Sequence, residues 1–256
     1  MKNILLTVCG RAGSKGVRSK NIRDFHGIPL IMYTLAAAKL FIERNPQFSI
    51  DLCVNSDSED LLSIAGGVEG VATLMRPVEL AQDDSPKVPV IIHSLNTMES
   101  SRNKVYDIVL DLDITSPLRN TMDIERVLQV LDDNQSADVV FTVVNSRRNP
   151  YFNMVEIVNG TPRKILESKY VARQQAPEVF DMNASVYGYR RSSLGNLVKI
   201  SPFDGVVDIV LMRDTAVIDI DSENDFELME LLAGHFFNTE LKELKDRTIE
   251  MFKIGR

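Results

Sequence analysis

The stretch that decides the fold is Ile4-Leu5-Leu6-Thr7-Val8, which Cys9 and Gly10 connect to Arg11-Ala12-Gly13-Ser14-Lys15-Gly16-Val17-Arg18-Ser19-Lys20-Asn21-Ile22. The apolar run predicts a buried first strand. Open α/β sheets bind ligands at the carboxyl ends of their strands, and four cationic side chains and two glycines follow this strand directly. Glycine lets backbone N–H groups approach a ligand closely, and arginine and lysine neutralise phosphate oxygens. We therefore expect this loop to bind a polyphosphate.

Composition sets the class of protein. The chain has 256 residues, 44% hydrophobic and 25% charged, as expected for one soluble domain spanning residues 1–256. A net charge of −7 argues against nucleic-acid binding, and no apolar run is long enough for a signal peptide or a membrane span. We interpret the two cysteines, Cys9 and Cys53, as reduced core thiols and expect a cytoplasmic enzyme.

Strand-like and helical segments alternate over the first two-thirds of the chain, which is typical of a doubly wound α/β sheet. The predicted strands there are Asn3–Val8, Asp51–Asn55, Val71–Leu74, Ile108–Leu112 and Asp138–Val144. The predicted helices between them are Pro29–Phe41, Glu59–Ala65, Val88–Ser100 and Met122–Leu131.

The alternation stops at Asn145. Residues 145–182 are richer in Arg, Asn, Pro and Gln and predict a small inserted arm, which leans on the main domain or on a second subunit. Strands are predicted again at Ala184–Tyr189, Val207–Leu211 and Ala216–Ile220, and helices at Glu223–Phe237 and Glu240–Phe252.

Two well-known phosphate motifs are absent from the loop after the first strand. A Walker A loop would need Gly five positions after Gly10, where the chain has Lys15, and the spacing G-x-G-x-x-G does not occur. The loop is therefore a different arrangement of small and cationic residues. The alternative is a solvated basic turn without a ligand.

Asp219 and Asp221 form the second feature with chemical meaning. On the predicted strand Ala216–Ile220, alternation would direct both carboxylates to one face, where they could hold Mg²⁺ beside phosphate oxygens. In the alternative interpretation Asp221 only caps the helix that begins near Glu223.

Polar residues also follow two further predicted strands. Asp111 and Asp113 share a face at the end of Ile108–Leu112, so one of them could join the metal site or bind a polyhydroxylated substrate, unless Thr115-Ser116-Pro117 is only a turn. Arg76 follows Val71–Leu74 and offers a guanidinium for substrate contact or for a surface ion pair.

Taken in order, these segments resemble the acylneuraminate cytidylyltransferase family, the CMP-sialic acid synthetases and their relatives. The resemblance covers nearly the whole chain through Arg11–Ile22, Arg76-Pro77-x-Glu79-Leu80-Ala81, Thr115-Ser116-Pro117-Leu118-Arg119, Arg173-Gln174, Asn183-Ala184-x-x-Tyr187 and Asp219-Ile220-Asp221. It implies a Rossmann-like nucleotidyltransferase with a mixed sheet flanked by helices. It also implies a homodimer, with the arm crossing to the partner subunit.

The resemblance also implies roles for individual residues. The catalytic set would be Arg11, Lys20, Asp219 and Asp221, and the last two would bind Mg²⁺, with Mn²⁺ as a substitute. The nucleotide-binding set would be Arg11, Ala12, Gly13, Ser14, Lys15, Gly16, Lys20, Asn21 and Arg76. The substrate-binding set would be Asp113, Thr115, Ser116, Arg173, Asn183 and Tyr187.

Two departures from the family pattern bear on the substrate. Sialic-acid-type members commonly carry Gln-Pro where this chain has Asp113-Ile114, and their arm often has a Lys where this chain reads Arg148-Asn149-Pro150. Both differences favour the branch that activates legionaminic or pseudaminic acids. The hypothesis is transfer of CMP from CTP to a nonulosonic acid, with release of pyrophosphate. The alternatives are a 3-deoxy-manno-octulosonate cytidylyltransferase or another sugar nucleotidyltransferase; a non-catalytic nucleotide-sugar-binding protein and a dehydrogenase are less consistent with the motifs.

Overall fold

The computed structural model describes residues 1–13 and 16–254, without the side chain of Val217. The strands are β1 Asn3–Cys9, β2 Asp24–Phe25, β3 Ile28–Pro29, β4 Ser49–Ser56, β5 Val71–Met75, β6 Ile108–Leu112, β7 Val139–Asn145, β8 Val155–Val158, β9 Thr161–Lys164, β10 Phe180–Arg190 and β11 Val207–Leu211. The helices are α1 Ile31–Arg44, α2 Glu59–Gly66, α3 Lys87–Arg102, α4 Thr121–Asp133, α5 Glu223–Phe236 and α6 Lys242–Ile254.

Seven strands form the central sheet, in the order β11-β7-β10-β6-β1-β4-β5. β1 pairs in parallel with β4 and β6, and β4 pairs in parallel with β5. β10 runs antiparallel to both β6 and β7, so the sheet is mixed. The predicted α/β class with a mixed sheet flanked by helices is confirmed.

Both faces of the sheet are covered, which explains the unbroken apolar run of β1. Ile4, Leu6 and Val8 belong to the larger core on one face, together with α1, α2, α4, α5 and α6. Leu5 points to the other face and packs in a smaller core with α3. The polar carboxyl end of β1 is thereby fixed between two packed layers.

The predicted strand Ala216–Ile220 is wrong. A short 3-10 helix occupies Asp214–Val217, and the chain continues to Asp221 without joining the sheet. Its backbone groups bond elsewhere: the carbonyl of Ala216 accepts from the Asn183 side chain, and the Ile220 N–H donates to the carbonyl of Thr115. These partners at the ends of β10 and β6 replace a strand ladder.

Residues 145–182 contain a separate two-stranded sheet of β8 and β9, which is mostly exposed. The ring of Tyr151 packs edge-to-face on Tyr170 beside this hairpin. A single domain over residues 1–256 with an arm at 145–182 stays a prediction. Within the described part of the chain, none of the helices is both long and apolar enough to cross a membrane.

Candidate active site

A cavity of about 360 Å³ opens at the carboxyl ends of β1, β5 and β6. Cys9 ends β1, Arg76 follows β5 and Asp113 follows β6, so three strands of the same sheet contribute to its wall. The described residues that line it are Cys9, Gly10, Arg11, Gly16, Lys20, Asn21, Arg76, Ser85, Lys87, Val90, Asp113, Thr115 and Asp221. The cavity has the position that an open α/β sheet gives its ligand.

The loop after β1 is held by bonds at both ends. The buried amide of Asn21 donates to the carbonyl of Arg11 at 3.0 Å, and the Ala12 N–H donates to Asp57 at 2.9 Å. Arg11 pairs with the carboxylate of Asp83 at 2.9 Å. Gly13 is exposed, and Ser14 and Lys15 lie outside the described residues.

This loop meets the acidic segment from the far end of the chain. Lys20 Nζ lies 3.0 Å from Asp221 Oδ1 and also donates to the carbonyl of Ile220. A Cβ on Gly16 would lie 1.8 Å from the backbone oxygen of Asp221, so only glycine fits there. The cationic loop and Asp221 therefore share one wall of the cavity, whereas Asp219 is not among the described residues that line it.

Asp219 and Asp221 have different surroundings, because no strand carries them. The Asp221 side chain is 79% exposed, whereas Asp219 is partly buried and accepts from the Ala184 N–H at 3.3 Å. Burial, with a contribution from the Asp113 charge, raises the pKa of Asp219 to about 6. Its Oδ1 is buried and has no hydrogen-bond partner among the described residues. The prediction that Asp219 and Asp221 lie on one face of a strand is therefore wrong, because this segment is not a strand.

Protein groups alone do not enclose a metal ion at this wall. Among the described residues, no group of three or more His, Cys, Asp or Glu side chains could hold one. Asp219 and Asp221 are two oxygen donors, which matches the way Mg²⁺ is held by one or two carboxylates plus substrate phosphates.

Arg76 is buried, with 7% of its surface exposed, yet it lines the cavity. Its Nε and Nη2 donate to the side chain and backbone oxygens of Asn55, each at 2.9 Å. The Asn55 amide in turn donates to Ser94 at 2.9 Å. This network holds a buried guanidinium in place, so the surface ion pair considered from the sequence is not what the described residues show.

The loop after β6 brings Asp113 and Thr115 into the cavity. The backbone N–H and the hydroxyl of Thr115 donate to Asp113 Oδ1 at 2.9 and 2.8 Å. Ser116 is buried, does not line the cavity, and its carbonyl accepts from Arg119 at 3.0 Å. The segment therefore forms a turn, as the alternative proposed, but also presents two predicted substrate residues.

Three further predicted substrate residues, in addition to Ser116, lie outside the cavity lining. Arg173 is exposed on the arm and donates to the carbonyl of Ser146. Asn183 is fully buried and holds the carbonyl of Ala216 at 2.9 Å, so within this chain it supports the segment before Asp219. Tyr187 is half-buried with its ring 5.9 Å from Lys87 Nζ, and burial raises its pKa to about 12.

Sequence reasoning missed Lys87. It is the first residue of α3 and lines the cavity, where its Nζ lies 2.6 Å from Asp111 and 2.6 Å from Asp113. A lone lysine after Pro86 carries no motif, and only the packing of α3 on β1 and β4 brings it to the two aspartates. Arg119 was noticed only as part of a motif, but it is fully buried and donates to the backbone of Ser116 and Ser185.

Comparison with known proteins agrees with this geometry. The cytidylyltransferase family model matches residues 6–244, which includes every residue lining the cavity. The chain belongs to the cytidylyltransferase family. It is therefore a nucleotidyltransferase, and the cavity at the strand ends is its candidate active site.

Two curated relatives are 35% identical to this cytidylyltransferase over 232 residues, covering 91% of this chain and 95% of each relative. They are the CMP-N,N'-diacetyllegionaminic acid synthase of Campylobacter jejuni and the post-translational flagellin modification protein B of Campylobacter coli. Among solved structures, a CMP:2-keto-3-deoxy-manno-octonic acid synthetase complexed with CTP superposes with a TM-score of 0.63. The match covers 92% of this chain and 99% of the synthetase chain, at 18% sequence identity. At this identity, the likeness shows the shared fold alone.

Proposed function

We propose that this cytidylyltransferase transfers CMP from CTP to a nonulosonic acid of the legionaminic or pseudaminic type. The observation that carries the proposal is the 35% identity to a CMP-N,N'-diacetyllegionaminic acid synthase over nearly the full length of both chains. The cavity supports it, because cationic, acidic and hydrogen-bonding groups converge there from three strand ends.

In the proposed reaction the anomeric hydroxyl of the sugar acid attacks the α-phosphorus of CTP. The new P–O bond joins CMP to the sugar, the bond to the β-phosphate oxygen breaks, and pyrophosphate and the hydroxyl proton leave. The protein forms no covalent intermediate, since alignment and charge stabilisation suffice for phosphoryl transfer. Arg11, Lys15 and Lys20 would neutralise the triphosphate, with Ala12, Gly13, Ser14, Gly16 and Asn21 shaping the loop around it.

The other predicted residues would hold the two substrates. Arg76 would contact the cytidine moiety, since Asn55 fixes its guanidinium at the cavity wall. Asp113 and Thr115 would form the sugar side together with Tyr187, the buried Ser116 would support their loop, and Asn183 would keep the Asp219 segment in place.

We also propose that Asp219 and Asp221 hold Mg²⁺, with Mn²⁺ as a substitute. The unpartnered, buried Oδ1 of Asp219 supports this, because hard divalent cations prefer carboxylate oxygens. A bound divalent cation would supply charge neutralisation at the phosphates and would favour ionisation of the attacking hydroxyl. Asp219 would have to be ionised to act as a ligand, and Lys20 would orient Asp221.

The test is a panel of sugar acids incubated with CTP and Mg²⁺, read by the mass of the CMP adduct and by pyrophosphate release. The panel contains legionaminic, pseudaminic, N-acetylneuraminic and 3-deoxy-manno-octulosonic acids, with GTP, UTP and ATP as competing nucleotides. We expect a CMP adduct with a legionaminic- or pseudaminic-type acid. Adduct formation only with the octulosonic acid, or only with another nucleotide, would contradict the proposal.

A homodimer and a cytoplasmic location complete the proposal. Exposed apolar side chains on the arm support a dimer, among them Val155 and Ile157 of β8 and Val171. An arm that reaches a second copy would also explain why Arg173 lies outside the cavity of its own chain. Both cysteines are free, as is usual in a reducing compartment. Light scattering after size exclusion tests the dimer, and cell fractionation tests the location.

A further inference from the structure

Lys87, Asp111 and Asp113 form a compact charged cluster on the cavity wall, which we name the Lys87 clamp. Lys87 Nζ lies 2.6 Å from Asp111 Oδ2 and 2.6 Å from Asp113 Oδ2. The three residues come from the end of β6, the loop after it and the first turn of α3. The clamp is thus built by two elements that pack through the core.

Asp111 is the buried end of the clamp. Its side chain is 0% exposed, and its Oδ1 accepts from the Thr7 hydroxyl at 2.7 Å. A carboxylate so deep in the protein needs a paired cation, and Lys87 is that cation. Asp111 cannot reach a ligand, so its effect on the site passes through Lys87.

Asp113 is the end of the clamp that faces the cavity, and it is fixed on all sides. Its side chain is 17% exposed, with Oδ2 on Lys87 and Oδ1 on Thr115. Its backbone N–H donates to Ser185 at 3.2 Å, and its carbonyl accepts from Arg119 and from the Thr34 hydroxyl. A carboxylate has about four lone-pair sites, and three donors occupy Asp113, so room for one further donor remains.

The charge of the clamp indicates what that donor is. One ammonium and two carboxylates leave a net negative charge, and Asp219 is close enough to Asp113 for the two carboxylates to repel each other. The clamp itself therefore repels the carboxylate of a sugar acid, and the phosphates of CTP would lie at the cationic loop of the same cavity instead. The clamp suits a neutral N–H or O–H group.

We propose that Lys87 is a positioning residue, which together with Asp111 holds Asp113 as a fixed, charged acceptor for a hydroxyl or amide N–H of the sugar acid. The inference rests on the proposed function and adds to it the chemical group that is recognised. It also assigns a role to Lys87, which no motif marks.

The test compares steady-state kinetics of Lys87→Met, Lys87→Arg and the double variant Lys87→Met/Asp111→Asn. Lys87→Met alone leaves the buried carboxylate of Asp111 without a cation and can therefore unfold the protein. The double variant removes both charges of this pair, so we expect it to fold even if the single variant does not. The matched control is Lys104→Met. Lys104 also lies 2.6 Å from an aspartate, Asp51, but this pair is at the opposite end of the sheet.

We expect the double variant to raise KM for the sugar acid about tenfold, with KM for CTP unchanged, because a charged hydrogen bond loses its fixed acceptor. Lys87→Arg should recover most of this change, and Lys104→Met should change neither KM. An equal rise in both KM values, a fall in kcat alone, or no change would overturn the inference. The absence of any CMP adduct with the unmodified enzyme would instead refute the proposed function itself.

Discussion

At the scale of single residues, two aspartates of the candidate site have pKa values that are shifted in opposite directions. Asp113 and Asp219 are both carboxylates near the same cavity. Burial alone would raise the pKa of Asp113, but Lys87 and Thr115 outweigh it and lower that pKa to about 2. Among the described residues no cation forms an ion pair with Asp219, and burial raises its pKa to about 6. One carboxyl is therefore charged at neutral pH and well below it, whereas the other gains a proton in mildly acidic solution.

We predict that Asp219→Asn stabilises the metal-free protein in a pH-dependent way. The folded pKa of about 6 exceeds the ordinary value of 3.8, so the native state binds this proton more tightly than the unfolded state. Native stability is therefore lost as pH rises from about 4 to above 6, on the order of 2 kcal/mol. Asparagine avoids that loss.

Thermal unfolding across this pH range measures the effect. The melting temperatures of variant and parent should coincide below about pH 4, diverge as pH rises from about 4 to 6, and stay apart above pH 6. Mg²⁺ should raise the melting temperature of the parent only, and turnover of the variant should fall about 10²- to 10³-fold. Equal response of both proteins to Mg²⁺ would refute the metal assignment.

Arg76→Lys should weaken nucleotide binding. Lysine cannot reproduce the paired donation of Nε and Nη2 to Asn55, so the cation at the wall would lose its fixed position. We expect KM for CTP to rise roughly 10- to 100-fold, with KM for the sugar acid much less affected. Initial rates at varied CTP check this, and a larger effect on the sugar acid would place Arg76 on the other substrate.

At the scale of elements, the N-terminal cap of helix α5 fixes the position of Asp221, a proposed metal ligand. Ser222 and Asp225 form a reciprocal capping box at the start of α5. The Asp225 carboxylate also accepts the backbone N–H of Asp221 at 3.2 Å. The interpretation of Asp221 as the helix cap was therefore wrong, since Ser222 is the N-cap, but the same capping box holds the backbone of Asp221 beside Lys20.

Ser222→Ala should lower both stability and rate. Loss of a helix N-cap costs about 1 kcal/mol of unfolding free energy, and a looser cap leaves Asp221 less well placed. The matched control is Ser201→Ala, since Ser201 and Asp204 form the same box on a short 3-10 helix that does not line the cavity. Denaturant unfolding and kcat/KM separate the two effects, and an equal loss of kcat/KM in both variants would contradict the link to Asp221.

The bounds of several strands and helices could be predicted from the sequence. The bounds of β6 and β11 agree residue for residue with the predicted Ile108–Leu112 and Val207–Leu211, because short segments rich in Val, Ile and Leu favour strands. Ala216–Ile220 has the same composition but failed, since its hydrogen-bond partners are single groups from β10 and from the loop after β6. Lys87 could not be identified from the sequence for a similar reason, because its contacts with Asp111 and Asp113 depend on how α3 packs on the sheet.

At the scale of the whole molecule, helices that are far apart in the sequence pack against each other in one core. Helix α6 packs on α1, where Arg247 pairs with Glu43 and Arg44 with Glu243. Leu244 is almost fully buried in the same core as Phe41 and Ile31. The last helix is therefore part of the main core rather than an accessory.

Leu244→Ala should lower the free energy of unfolding by about 2–4 kcal/mol, because it leaves a cavity in this core. The control is Leu231→Ala on α5, whose side chain is 75% exposed, and which should change stability little. Urea unfolding monitored by circular dichroism measures both. Similar small changes in the two variants would show that α6 is dispensable for stability.

The contact between Lys20 and Asp221, which lie 201 residues apart in the chain, has a consequence for how the protein is made. During translation the cationic loop leaves the ribosome long before its acidic counterpart exists. Until the segment that contains Asp221 emerges, Lys20 has no carboxylate partner from this part of the chain, and the cavity lacks one of its walls. Fragments that terminate before Asp221 would therefore carry an incomplete pocket.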